Sequence, residues 1–240
     1  MKAIVLCAGR GGRLRPLTEN KPKCLLEIGS KTILERILEN LSQAGIHETL
    51  LVVGFRQDRI RNLTREKEIS GIDFVVNEKF ESTNTAYSLR LALIRMDSDF
   101  ILINGDMLFD GLILRDLIRH PQRNCVVVDR ASRLNAEKVK VRAVNGRILK
   151  IGKYLKSEES LGEAIGIYKF SREVIPALSA VFEDLERNGE VYHYFEKGIE
   201  RLCEDSVKFG IMFTERPWVE IDTPEDWDYA AREIQPKLDQ

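Results

Sequence analysis

Apolar residues follow two rhythms along this chain. Unbroken runs at residues 3–7 (AIVLC) and 49–53 (TLLVV), with a shorter one at 73–76, predict strands buried on both faces. Between them, residues 31–44 place Ile33, Leu34, Ile37, Leu38 and Leu41 at helical spacing, with Gly45 where a C-terminal cap belongs. Residues 56–67 predict a second, more charged helix with Ile60 and Leu63 inward. Strand alternating with helix in this way predicts a parallel sheet with right-handed crossovers, whose ligands gather at the carboxyl ends of the strands. A polar stretch at 77–89 then enters a helix expected to run to Met96. The apolar run 100–104 ends abruptly at Gly105-Asp106, ahead of a helix over 111–120.

Beyond Cys125 the rhythm changes to strands in meander. Residues 126–129 predict a buried strand, and 137–144 alternate with Val139, Val141 and Ala143 inward and Lys138, Lys140 and Arg142 outward. Asn145-Gly146 is a two-residue hairpin turn returning through 147–150. A strand over 163–170 follows, then a helix capped by Ser171 and running to Arg187, a second helix from about Tyr192, a strand over 207–213, and a helix started by Thr223 and Pro224. The expected architecture is a single α/β domain over residues 1–240. It is Rossmann-like, a mostly parallel mixed sheet flanked by helices with a small antiparallel β appendage.

Composition narrows the partners. With 43% hydrophobic and 31% charged residues the chain can bury a substantial core, and disorder as the main state is excluded. A formal net charge of −1 removes the basic field that drives nucleic-acid binding, so the expected partner is a small molecule. No apolar run is long enough to span a bilayer and the opening lacks a signal-peptide layout, so a cytoplasmic protein without membrane insertion is expected. Cys7, Cys24, Cys125 and Cys203 stand far apart and read as buried free thiols. His47, His120 and His193 are equally scattered and show no metal-pair spacing.

The chemistry concentrates in LCAGRGGRLRPLTENKPKCLL, residues 6–26. Gly9, Gly11 and Gly12 let backbone N–H groups approach an anion, and Arg10, Arg13, Arg15 and Lys23 add positive charge. Pro16 and Pro22 stiffen the return path. The P-loop ending Gly-Lys-Ser/Thr is absent, and the third glycine of a dinucleotide fingerprint does not open a helix here. That disfavours an NAD-dependent oxidoreductase. At the other end, Glu220 and Asp222 flank Ile221 and share one side of an extended segment, while Asp106 stands at the carboxyl end of a central strand. Together these acids suit a magnesium ion, though caps for the adjoining helices are the plainer alternative.

The pattern Gly9-Arg10-Gly11-Gly12-Arg13-Leu14-Arg15-Pro16-Leu17-Thr18, followed by Pro22-Lys23, resembles the signature of the nucleotidylyltransferases, the pyrophosphorylase family. Gly12 departs from it by replacing a hydroxyl residue. The segment 84–89 (NTAYSL), the strand 163–170 and the closing EIDTPEDW at 220–227 are similar to the phosphocholine cytidylyltransferase branch. The resemblance covers nearly the whole chain. It implies Mg2+ as cofactor and attack of an acceptor phosphate on the α-phosphorus of a nucleoside triphosphate, CTP by preference, with pyrophosphate released.

In that scheme Arg13 holds the β and γ phosphates and Lys23 the reacting ones. Leu6, Ala8, Gly9, Gly11 and Gly12 cradle the nucleotide, whose base Ser82, Asn84 and Thr85 meet. Asp106 and Asp222, and less firmly Glu220, hold the metal. Glu163 could face an acceptor hydroxyl or ammonium, or lie in solvent. The segment 191–196, with Tyr192, Tyr194 and the one carboxylate Glu196, and with Tyr87 and Trp218 as further walls, has the composition of a cage for quaternary ammonium, or of simple core. Phosphocholine or a related amino-alcohol phosphate is the expected acceptor, with inositol 1-phosphate or a sugar 1-phosphate as the alternative. A nucleotide-sensing domain without turnover is the rival from another class, and the sequence leaves a homodimer open.

Overall fold

The structure, a computed structural model, describes residues 1–239. Strand β1 (Lys2–Cys7) runs into the glycine loop and is followed by the two-residue strands β2 (Glu27–Ile28) and β3 (Lys31–Thr32). Helix α1 (Ile33–Gln43) begins where its sequence demands. The Thr32 hydroxyl accepts from the Glu35 N–H at 3.1 Å and the Glu35 carboxylate accepts from the Thr32 N–H at 2.8 Å. Such a reciprocal cap contributes about 1 kcal/mol. The predicted apolar stripe of α1 is buried, and the chain leaves the helix through Gly45.

Then come β4 (Thr49–Val53), α2 (Gln57–Glu66), β5 (Ile72–Val76), α3 (Thr85–Leu93), β6 (Phe100–Asn104), β7 (Met107–Phe109) and α4 (Leu112–Arg119). The second half holds β8 (Cys125–Asp129), β9 (Lys140–Val144), β10 (Arg147–Gly152), β11 (Gly162–Phe170), α5 (Ile175–Arg187), α6 (Glu196–Glu204), β12 (Gly210–Phe213), β13 (Trp218–Glu220) and α7 (Pro224–Tyr229).

Among the described residues the central sheet has nine strands in the order β5-β4-β1-β6-β11-β8-β12-β10-β9. The N-terminal half, β5 to β6, is parallel as the strand–helix alternation predicts. The second half is mixed, because β11 runs antiparallel between β6 and β8 while β12 lies parallel to β8. The Asn145-Gly146 hairpin forms, with both residues at positive φ, but it is no separate flap: β10 joins β12 and β9 returns to pair with β11. Side chains of β1 alternate between two cores. Ala3, Val5 and Cys7 pack toward α1, α2 and α4, and Ile4 packs toward α3, α5 and α6.

Several local expectations shift. Helix α3 ends at Leu93 rather than Met96. A short 3-10 turn precedes α5, and Ser171 caps no helix with its side chain. The last strand of the central sheet starts at Gly210. Lys140, read as outward, is 1% exposed, with its ammonium donating to the carbonyls of Asn135 and Lys138. A long side chain whose donors all find carbonyls can be buried against its alternation pattern.

Candidate functional site

The glycine loop is pinned before it carries charge. The Thr18 hydroxyl donates to the Gly11 carbonyl at 2.7 Å, and buried Leu14 anchors the turn 12–14. Of the loop glycines only Gly11 adopts a left-handed backbone, φ 66°, and a Cβ at Gly9 or Gly12 would meet nothing within 4 Å. The loop, with Lys23, Asp106 and Asp222, lines a cavity of about 440 Å³.

Two acids from opposite ends of the chain meet there because of a ladder too short to read in the sequence. Strand β7 pairs antiparallel with β13, Met107 opposite Glu220, and the Ile221 N–H donates to the Asp106 carbonyl at 3.0 Å. The Asp106 and Asp222 side chains are thereby brought to one lysine. Lys23 Nζ lies 2.7 Å from Asp106 Oδ2 and 2.5 Å from Asp222 Oδ1, and Arg13 Nη2 lies 2.7 Å from Asp222 Oδ2. Burial alone would lower the Lys23 pKa, but the two carboxylates outweigh it and hold the ammonium above its ordinary value. Burial likewise raises Asp222, while Lys23 and Arg13 bring it net below the carboxylate range. Glu220 differs: desolvation, then the charges of Asp106 and Asp222, push its carboxyl up to about 8.

The donor set fits a hard divalent cation of a particular kind. Asp106 Oδ1 is buried without a hydrogen-bond partner, and leaving such an oxygen unpaired costs on the order of 1–3 kcal/mol. Yet among the described residues no cluster of three or more acid, histidine or cysteine side chains forms a complete cage. Two carboxylates with the remaining positions left to water and ligand phosphate oxygens is the arrangement magnesium accepts.

An adjoining cavity of about 220 Å³ shares Leu6, Gly9, Arg13, Asp106 and Asp222 and extends past Ala8 toward the start of α3. Its wall is organised by Asn77, which is 1% exposed: its amide donates to Thr83 and Ser88 and its carbonyl accepts from the Lys79 N–H. Asn84 caps α3 through the Thr85 N–H and reaches across to the Tyr192 carbonyl at 3.2 Å, while Thr85 Oγ1 accepts from the Phe195 N–H. These bonds tie the segment 191–195, expected as helix, to α3 as a loop. Asn84 and Thr85 line the cavity as expected; the Ser82 hydroxyl instead closes a local turn on the Lys79 carbonyl. Asn77 and Lys153 line the same cavity and went unassigned in the sequence, where no local spacing distinguishes them; Glu196, the carboxylate of the aromatic segment 191–196, lines it too.

The five expected acceptor residues do not assemble. Tyr194 lines the second cavity, with the Lys153 ammonium 4.7 Å from its ring centre. Tyr192 is 68% exposed. Tyr87 stands between Lys79 and Arg90, and Trp218 donates to Asp129 with Lys138 near its ring. Glu163 is 2% exposed, paired with Lys138 at 3.0 Å and accepting from Ser132, so it is neither in solvent nor free for a ligand. The rings form no shared cage because cations or a carboxylate of the chain itself already occupy them, Tyr192 excepted.

Comparison with known proteins gives the family and the fold. A family profile described as the MobA-like NTP transferase domain matches residues 3–197. The chain is 31% identical over 206 residues to the CTP:phosphoglutamine cytidylyltransferase of Campylobacter jejuni, covering 78% of this chain and 80% of the relative. It is 36% identical over 119 residues to the choline-phosphate cytidylyltransferase of Streptococcus pneumoniae, a match spanning 50% of this chain and 51% of that one. The fold superposes on the inositol-1-phosphate CTP transferase of T. maritima with a TM-score of 0.83 at 24% identity, covering 100% of this chain and 96% of the other.

Proposed function

This chain belongs to the MobA-like NTP transferase family, and from that membership we propose its reaction: transfer of a cytidylyl group from CTP to the phosphate of a small phosphorylated alcohol, with release of pyrophosphate. The observation that carries the proposal is the cluster of Lys23 and Arg13 with Asp106 and Asp222 beneath the glycine loop. CTP is favoured because the C. jejuni and S. pneumoniae relatives are named for CTP or for cytidylyl transfer.

An acceptor phosphate oxygen forms a bond to the α-phosphorus, the bond from that phosphorus to the bridging oxygen breaks, and pyrophosphate leaves with the electron pair. No residue need form a covalent intermediate. The backbone N–H groups around Gly9, Gly11 and Gly12 and the Arg13 guanidinium hold the triphosphate, leaving its α-phosphate toward Lys23. Lys23, kept protonated by the two acids, balances charge that grows as the α-phosphorus becomes five-coordinate. Asp106 and Asp222 would hold magnesium, which supplies charge neutralisation at the phosphates when bound. Glu220, half-buried beside them with its carboxyl pushed up to about 8, is largely protonated at neutral pH and adds little charge of its own. The wall of Asn77, Asn84 and Thr85 faces the nucleoside.

Pyrophosphate release measured with CTP, UTP, ATP and GTP against a panel of phosphorylated alcohols and sugars tests this. Release at least tenfold faster with CTP and a phosphorylated alcohol is expected. Release confined to a sugar 1-phosphate with another nucleotide contradicts the proposal.

A further inference from the structure

We propose that Glu196 reads the acceptor's head group by accepting a hydrogen bond from an N–H or O–H donor on it, so that the acceptor is a phosphorylated compound bearing an ammonium or hydroxyl donor rather than a trimethylammonium. The inference rests on the transfer reaction proposed above and concerns the second cavity, which the acceptor's head group shares with the nucleoside facing Asn84 and Thr85. Glu196 is the first residue of α6 and is 3% exposed. One carboxylate oxygen, Oε1, accepts from the Tyr168 hydroxyl at 2.8 Å; the other, Oε2, is buried and accepts nothing from the chain. Tyr168 is itself 1% exposed, with its ring edge-on to Phe195, so the carboxylate is held in one orientation. Asn104, on the wall of the same cavity, leaves its carbonyl oxygen equally unpaired.

Buried acceptor oxygens that find no donor in the chain and line a cavity are what a site for a donor-bearing ligand looks like before the ligand arrives. The rest of the cavity points the same way. The one candidate cage ring on this wall, Tyr194, already has Lys153 over it, and a trimethylammonium would meet that ammonium while leaving Glu196 and Asn104 unsatisfied. Burial also pushes the Glu196 carboxyl above its ordinary value, which an incoming ammonium would reverse and a hydroxyl would tolerate.

The test compares phosphoethanolamine, which offers N–H donors, glycerol 3-phosphate, which offers O–H donors, and phosphocholine, which offers neither. Each is assayed with the full-length chain, CTP and magnesium. At least one donor-bearing acceptor is expected to exceed phosphocholine tenfold or more in kcat/KM, and Glu196→Met is expected to collapse that ratio to within threefold, chiefly by raising the acceptor KM. Glu196→Gln keeps an acceptor oxygen but removes the charge: its failure with phosphoethanolamine identifies an ammonium, and its retention of glycerol 3-phosphate turnover identifies a hydroxyl. Phosphocholine used as well as the others, or a Glu196→Met loss equal for all three, overturns the proposal. Absence of release with every acceptor contradicts the transfer reaction instead, and calorimetric binding of the same compounds to wild type and Glu196→Met then decides on Glu196 alone.

Discussion

Lys23 is held where three demands coincide: it neutralises two acids in the resting protein, it lines the cavity beneath the glycine loop, and its charge is fixed by its neighbours. Replacement by methionine keeps the volume and removes the charge. Transfer is expected to slow by about two to three orders of magnitude, as when a preorganised transition-state contact is lost, while the KM for CTP moves by only a few fold. A loss confined to KM would place Lys23 in ground-state binding. Residues such as Lys23, Asp106 and Asp222 could be found in the sequence because each sits at fixed spacing beside a glycine, proline or strand end. Lys153 could not, because it meets the site through packing of elements far apart in the chain, and Glu196 stood out only as the carboxylate among the rings of 191–196, not as a buried oxygen without a partner.

At the scale of elements, the approach of β6 to β1 depends on Gly105. A Cβ there would stand 2.6 Å from the Leu6 carbonyl oxygen and 2.7 Å from Cys7 Sγ, and backbone cannot yield as a side-chain tip can. Gly105→Ala is expected to cost about 1–3 kcal/mol in urea denaturation, the usual range for overpacking, and to reduce transfer by shifting Asp106. Unaltered stability would mean that the two strands separate more easily than their pairing implies.

The end of α4 offers a second check. Burial and then the Lys169 ammonium hold the His120 imidazole below its ordinary value of 6.5. Between the folded value and 6.5 the unfolded chain binds more protons, so stability rises with pH through that window and is lost as pH falls. His120→Gln should therefore lose less stability than wild type between about pH 7.5 and pH 5.5, and equal losses would contradict the shift. Elements were legible where the apolar pattern was uninterrupted, as in the stripe of α1 and the run of β4. They were misjudged where tertiary bonds overrode it, as at Lys140 and in the 191–195 loop laced to α3.

For the whole molecule, the parallel half of the sheet and the position of the site at its carboxyl edge were legible from the alternation of strand and helix. The antiparallel insertion of β11 and the β7–β13 ladder were not, since pairing partners distant in sequence leave no local mark. That ladder joins the first acid to the second and makes one site of the two chain halves. The claim that depends on all of it is attack of the acceptor phosphate on the α-phosphorus at this site. An acceptor labelled with 18O in its phosphate, incubated with CTP and magnesium and followed by 31P NMR, tests it. The label is predicted to appear only in the new anhydride product, none in pyrophosphate, with Asp106→Asn suppressing the reaction. Label in the released pyrophosphate, or full turnover by Asp106→Asn, would contradict it.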